Sequence, residues 1–343
     1  MNLNLKIRDL GINPNYWYVV ARSNEVKTQP LGVTLWNQPI ILFRDNQGKI
    51  QALEDRCPHR KVKLSHGKII AGLIECAYHG WQFNAQGKCV KIPYLAENQK
   101  LPNCQIYQYP VQELDGFIWL FLGENSTQTQ PLGVPEWDHL NYIATVSLIH
   151  CQAHYSFVIE NLMDMYHGHL HQNWQAWTDA VLEKIDEYPD QINVQYQAQS
   201  YYKIDKIWSI YQLFFPALRQ LHPEPLTVSY IYPHWVSTLG KDFKIYCLFC
   251  PISLTETKAY LIHFTSLHSF WRLHKLPIPF RRFLKNKLFG SAQKLLDGLV
   301  EQDIKMIEEE QQAYQNNPEQ KGYEFNRSLA NVQKLILHQA SRS

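Results

Sequence analysis

The feature that most constrains this chain is a pair of short Cys/His spacings. Cys57-Pro58-His59 is followed, after 16 residues, by Cys76-Ala77-Tyr78-His79. A thiolate and an imidazole two or three positions apart sit on one tight loop, and two such loops can close on one centre. Two Cys and two His can hold a structural zinc ion. They can equally hold a [2Fe–2S] cluster, with the thiolates on one iron and the imidazoles on the other, a ligand change that raises the reduction potential. Both loops follow strand-like segments, which favours the cluster.

The surrounding third of the chain reads as a small β domain. Tyr16 to Ala21, Gly32 to Leu35, Ile40 to Arg44 and Ile50 to Leu53 are short β-rich runs separated by turn formers, and Asp45-Asn46-Gln47-Gly48 suits a hairpin connection. Gly116 to Gly123 reads as a buried strand, and Glu124 to Gln130 with Pro131, Gly133 and Pro135 as a linker. Beyond about residue 145 the pattern changes. Ser156 to Gln172 has helical spacing, strands resume in Gln191 to Lys206, Leu226 to Tyr232 and Phe243 to Pro251, and Ser291 to Tyr314 reads as a long helix. A length of 343 residues suits about two domains. The expected division is 1–140 and 141–343, α+β overall, with the helices concentrated in the second part.

A second constellation lies in Glu160-Asn161-Leu162-Met163-Asp164-Met165-Tyr166-His167-Gly168-His169-Leu170-His171. On a helix Asp164, His167 and His171 share one face, and two His four apart can bind one metal. Two His and one carboxylate with open coordination positions are the usual site of Fe(II) oxygenases. A helix that is merely His-rich is the plain alternative. His169 competes with His171, although it lies about 160° around a helix from it.

Taken together these residues resemble the α subunits of the Rieske non-haem iron oxygenases. The resemblance rests on Cys57-Pro58-His59-Arg60 with Leu64-Ser65 and Gly67, and on Cys76-Ala77-Tyr78-His79-Gly80-Trp81 with Phe83 and Gly87. Lys61 stands where Gly is usual. The resemblance extends to an Asn-x-x-Asp-x-x-His element at Asn161, Asp164 and His167. Most members place four residues between the two His, where this chain has Gln172; the carbazole dioxygenase type has three, which gives His171.

The resemblance implies an N-terminal all-β Rieske domain and a catalytic domain whose antiparallel sheet is flanked by helices, the helix-grip or START-like arrangement. It implies a [2Fe–2S] cluster on Cys57, His59, Cys76 and His79, and a mononuclear Fe(II) on His167 and His171. The carboxylate ligand is expected on a late acidic helix, where Asp303 in Glu301-Gln302-Asp303-Ile304 matches. Asp164 is expected to bridge the cluster imidazole of one subunit and His167 of its neighbour in a head-to-tail homotrimer, and Asn161 to lie near the iron without ligating it. The implied activity is O₂-dependent mono- or dioxygenation of an organic, hydrophobic or polycyclic molecule. No Gly-x-Gly-x-x-Gly fingerprint occurs, so a separate ferredoxin or flavin reductase is expected to supply the electrons. An electron carrier or a redox sensor is the rival, and either would lack the second iron.

Composition narrows what remains. A net charge of +2 gives no bulk case for nucleic-acid binding. Seven cysteines without regular spacing, and no secretory signal at the start, suit a reducing, cytoplasmic compartment without disulfides. Cys247 and Cys250 read as buried strand residues, and Cys151 and His154 as packing residues. Residues 268–287 alternate basic and large apolar side chains, which suits peripheral contact with an anionic membrane. An ordinary surface segment with buried aromatics accounts for them equally well. Membrane contact would point to a lipophilic substrate such as a carotenoid or a chlorophyll-type tetrapyrrole.

Overall fold

The computed structural model describes residues 6–96, 98–127, 129–171, 177–201, 220–270, 273–320 and 322–342. The chain divides into two compact units. Pro14–Gly133 forms one, and the segment up to Asn13 groups with Val134–Ser343 in the other.

The first unit is all β. Phe117-Ile118-Trp119-Leu120-Phe121 is apolar on both faces and wholly buried, so it can only be an inner strand. It is β10 (Phe117–Phe121), between β1 (Trp17–Arg22) and β9 (Val111–Leu114). By the same logic β3 (Gln38–Arg44), with Ile40 to Phe43 buried, lies between β2 (Leu31–Leu35) and β4 (Ile50–Glu54). The β3–β4 turn is closed by Asp45, whose side chain accepts from the Gln47 and Lys49 amides. A four-stranded sheet completes the unit, in the order β5 (Lys68–Ile70), β6 (Leu73–Glu75), β7 (Gln82–Phe83) and β8 (Cys89–Lys91).

The second unit is one seven-stranded antiparallel sheet with helices. Its order is β11 (Tyr142–Cys151), β17 (Glu256–Ser266), β16 (Phe243–Ser253), β15 (His234–Leu239), β14 (His222–Ile231), β13 (Gln191–Ser200) and β12 (Trp177–Glu187). Four helices accompany it among the described residues: α1 (Tyr155–Met163), α2 (Ile278–Leu288), α3 (Gln293–Asn316) and α4 (Arg327–Ala340). Helix α3 packs on β11, where Asp297 accepts from Ser147 at 2.6 Å and Gln293 donates to the Val146 carbonyl at 3.0 Å. Helix α1 packs on α3 and α4.

The helical run expected over 156–172 is broken. Helix α1 stops at Met163, and Met165–His171 forms a 3₁₀ segment. The cause is Asp164, whose side-chain oxygen accepts from the Tyr166 amide at 3.0 Å and so competes with the helical ladder. Residues four apart on a 3₁₀ segment are about 120° out of line. Helical stacking therefore does not bring His167 and His171 together.

Cys247 and Cys250 are buried in β16, and Cys151 is buried in β11. His154 is fully buried at the start of α1, its ring between the Ser156 hydroxyl at 2.7 Å and the Leu10 carbonyl at 3.1 Å. No helix of the described residues is long and apolar enough to cross a membrane.

Candidate metal centres

The two Cys/His loops share one backbone construction. Cys57 donates its amide to the Val62 carbonyl, five residues on, and its carbonyl accepts from the Lys61 amide. Cys76 donates to the Trp81 carbonyl and accepts from the Gly80 amide in the same pattern. The loops thus have equal length, although His59 follows its Cys by two positions and His79 by three. The fifth residue of each loop must turn left-handed. Gly80 does so at φ 67°, and Lys61 adopts the same conformation at φ 61°. Gly carries no steric penalty there, whereas a residue with a Cβ is strained by about 1 kcal/mol. Asp55 fixes the first loop from below, accepting from the Ser65 amide at 2.7 Å and the Ser65 hydroxyl at 2.5 Å.

The four side chains converge with a polarity that suits a cluster. Cys57 and Cys76 are 1% and 3% exposed, inside a core of Ile41, Phe43, Leu53, Leu64, Ile74 and Phe83. Burial pushes the Cys57 thiol up to about 11, so an adjacent cationic iron is what would make it a thiolate. The imidazoles of His59 and His79 are exposed, with ring centroids 4.6 Å apart, and His59 stacks on Trp81 at 4.7 Å. Sulfur inside and imidazole at the surface is an arrangement through which an electron can enter or leave.

The second centre draws on two distant segments. His167 and His171 come from the 3₁₀ segment and Asp303 from α3, and one donor atom from each lies within 4.8 Å of the others. The His171 Nε2 atom is 3.1 Å from Asp303 Oδ1, and the His167 Nε2 atom is 3.7 Å from it. The Asp303 carboxylate, by hydrogen bonding and by charge, raises the His171 pKa, although the His171 Nε2 atom has no well-aligned partner among the described residues. Two imidazole nitrogens and a carboxylate oxygen converging in this way fit a cation. Two imidazoles and a carboxylate are the donor set for Fe(II) with open positions. The His169 side chain lies outside the described residues.

Two supporting residues escaped the sequence reading. The Gln302 Oε1 atom lies 3.0 Å from His171 Nδ1. An amide oxygen there accepts the Nδ1 proton and leaves Nε2 as the lone pair facing Asp303. Asn326 caps α4, its Oδ1 accepting from the Ser328 amide at 3.0 Å and the Ser328 hydroxyl at 2.7 Å. Its amide nitrogen then donates to Asp164 Oδ1 at 3.0 Å. Both contacts bridge more than 100 residues, as Gln302 is 131 positions from His171 and Asn326 is 162 from Asp164. No local motif could have revealed them. Asp164 does not hydrogen-bond His167 within this chain, and buried His167 Nδ1 has no partner among the described residues. Asn161 lines the cavity beside the triad.

That cavity has a volume of about 210 Å³. Its floor is one face of the sheet, where Ser237, Ile245 and His263 stand in register across β15, β16 and β17, as do Leu239, Phe243 and Thr265. Trp235 and Leu261 extend the same face. Its roof is α3, where Leu295, Leu299 and Asp303 follow at i, i+4 and i+8. At 1.5 Å per residue, the cavity reaches about 12 Å along α3 from Asp303. The charged groups among its described lining residues are those of the site itself: Asp164, Asp303 and the imidazoles. Burial pushes His263 down to about 4, so it is neutral at pH 7. The Trp235 indole N–H has no partner among the described residues.

A Rieske [2Fe-2S] domain model matches residues 16–110, which include all four Cys and His residues of the first centre. The chain carries a Rieske domain and resembles the α subunits of the Rieske non-haem iron oxygenases. Within this family it is similar to the 4beta-methylsterol monooxygenase of Methylococcus capsulatus, 29% identical over 97% of this chain and 89% of that protein. It is also similar to the oxygenase component of dicamba O-demethylase from Stenotrophomonas maltophilia, 32% identical over 48% of this chain and 49% of that one. A crystal structure of dicamba monooxygenase bound to dicamba superposes with a TM-score of 0.75 at 20% identity, covering 97% of this chain and 98% of that one. This Rieske oxygenase therefore has the expected fold, an N-terminal Rieske β domain and a C-terminal antiparallel sheet with helices. It is the oxygenase component of a multicomponent system, with a [2Fe–2S] cluster and a mononuclear non-haem iron as cofactors.

Proposed function

We propose that this oxygenase hydroxylates a neutral, lipophilic, fused-ring molecule held between α3 and the β15–β17 face. In this reading Cys57, His59, Cys76 and His79 hold the cluster, and His167, His171 and Asp303 hold the iron. The observation that carries it is the convergence of three donor atoms, within 4.8 Å of one another, in the wall of an apolar cavity. An electron carrier or redox sensor has no use for such a site.

The chemistry that the bound iron supplies is reductive activation of O₂, with electrons arriving singly through the cluster. The residues around it do the rest. Gln302 holds the His171 tautomer. In a homotrimer Asp164, steadied by Asn326, accepts an N–H donor from the partner subunit's His79. Asn161 lies beside the iron without ligating it. A separate ferredoxin or flavin reductase feeds the cluster.

The charge of the wall supports the substrate class. An anionic acid would meet Asp164 and Asp303 and find no Lys or Arg among the described lining residues. A neutral molecule with one hydroxyl or carbonyl finds Trp235 N–H, Ser237, Thr265 and neutral His263 on the sheet face. An unpaired buried polar group costs about 1–3 kcal/mol, and such a substituent would supply the partner. A relative that aligns along nearly the whole chain is named for a methylated sterol, a molecule of this class. Peripheral contact with a membrane through 268–287 belongs to the same reading, with α2 as its carrier.

The test is turnover with a surrogate ferredoxin and reductase, O₂, and matched pairs of neutral polycyclic alcohols and their carboxylated analogues. Mass spectrometry is expected to find oxygen gained by the neutral member of a pair. Equal or faster turnover of the anionic member would contradict the assignment.

A further inference from the structure

Helix α2 has a face for which the second unit provides no cover. Eleven residues long, it has none that is buried. Its inner side is tied down by two cations. Arg281 donates to Asn141 Oδ1 at 2.7 Å, and Lys285 donates to the main-chain carbonyls of Trp137 and His139. Arg281, Leu284, Lys285 and Leu288, at i, i+3, i+4 and i+7, make up this inner face. Beyond these tethers the helix carries large apolar groups in water. Ile278 is 52% exposed, Phe280 62% and Phe283 57%, and Phe289 just beyond the helix is 42% exposed. Phe280 and Phe283 are therefore not the buried aromatics of an ordinary surface segment. Single exposed apolar residues are common, but four on one short stretch mark an interaction surface.

Charge identifies the partner. From residue 257 to 296 the chain holds eight Lys and Arg and no Asp or Glu, in a molecule whose net charge is only +2. Lys275, Arg282 and Lys287 are exposed around the aromatic face. Trp271 and Arg272 lie outside the described residues. A cationic rim around protruding Phe and Ile side chains complements an anionic lipid surface, with charges at the headgroups and rings at the acyl boundary.

Position then gives the contact a purpose. Three residues separate α2 from Ala292, which with Leu295 and Leu296 lines the α3 end of the cavity farthest from Asp303. The link is held to the sheet by the Gly290 amide, which donates to the Ala144 carbonyl at 3.0 Å. We infer that α2 is a docking helix that seats on an anionic bilayer and sets the far end of the cavity toward it, so that substrate enters from lipid. The docking stands on the surface of α2 alone; the entry route rests on the proposed function.

Co-sedimentation of the holoprotein with phosphatidylcholine vesicles, with and without phosphatidylserine, tests it. Binding is expected to the anionic vesicles at low salt, and release at high salt. At about 1 kcal/mol for each basic residue, Arg282→Gln with Lys287→Gln lowers the partition coefficient about thirtyfold. Phe280→Ser with Phe283→Ser is expected to abolish binding, with iron content and turnover of a cyclodextrin-carried substrate unchanged. Wild-type protein left in the supernatant of anionic vesicles at low salt would overturn the inference, as would vesicle binding that both double variants retain. So would self-association of the wild type, seen by sedimentation velocity, that the Phe variant removes, because the face would then cover a second copy. Failure of the oxygenase reading alone leaves vesicle binding intact and removes only the turnover.

Discussion

Replacing Gln302 with Leu isolates the contact that sets the His171 tautomer. Leu is similar in size and cannot accept a proton, so the Nδ1–H loses its partner 3.0 Å away while α3 keeps its backbone. An ordinary neutral hydrogen bond contributes about 0.5–1.5 kcal/mol, which is roughly 2- to 12-fold in an equilibrium constant. Two effects push the loss toward the top of that range. An imidazole bound to a cation is a better donor than a free one, and the His171 ring is buried, so a lost partner is not replaced by water. Loss of such an outer hydrogen bond commonly weakens a metal site by roughly 10- to 100-fold. The expected result is a tenfold or greater rise in the dissociation constant for Fe(II), measured against a chelator of known affinity. The cluster's visible spectrum serves as an internal standard and should not change. Gln302→Glu, which restores an acceptor and adds charge, is expected to bind iron at least as tightly as the wild type. An iron affinity for Gln302→Leu within twofold of the wild type, or equal losses of iron and cluster, would refute this reasoning.

Three further outcomes follow from the geometry. Asn326→Ser keeps a helix cap but removes the donor to Asp164, while Asn326→Asp sets a second carboxylate against it. Both should slow O₂-driven reoxidation of the reduced cluster, followed by visible absorbance, and only the Asp variant should recover as the pH falls and the two carboxylates share a proton; a wild-type pH profile in Asn326→Asp would count against the Asp164 role. Lys61→Gly relieves a left-handed backbone and is expected to stabilise the apo first unit by up to about 1 kcal/mol in urea unfolding, whereas Gly80→Lys should cost a similar amount or more. His154 and His263 are each held near 4 by burial, against an ordinary 6.5, so the unfolded chain binds the extra protons. Stability from these residues is complete above pH 6.5 and is lost as the pH falls toward 4, by up to about 3 kcal/mol for fully buried His154; denaturant midpoints that do not fall between pH 7 and pH 4.5 would contradict this.

How much of the molecule was legible in the sequence depended on how local each interaction is. The cluster loops were, because their ligands sit within 23 consecutive residues and the loops close by main-chain bonds to near neighbours. Strands β3 and β10 were, because short apolar runs between turn formers admit few alternatives. Asp303 was found only through the family pattern, since nothing local separates it from Glu301 or Glu308 on the same helix. Strand β12 was missed because Ala180-Val181-Leu182-Glu183-Lys184 is rich in good helix formers, a propensity that pairing with β13 overrides. The break after Met163 was hidden for a different reason. Apolar periodicity runs through it, and only the Asp164 side chain, bonding the nearby backbone, ends the helix. Gln302, Asn326 and the floor of the cavity depend on segments that meet only in the folded chain.

Iron and acid-labile sulfide per chain, measured on the wild type and on Asp303→Ala, test the two-centre assignment most directly. About three irons and two sulfides are expected in the wild type. In Asp303→Ala about two irons are expected, with the cluster's visible spectrum kept. Two irons in the wild type, or a third iron that survives the loss of Asp303, would contradict it.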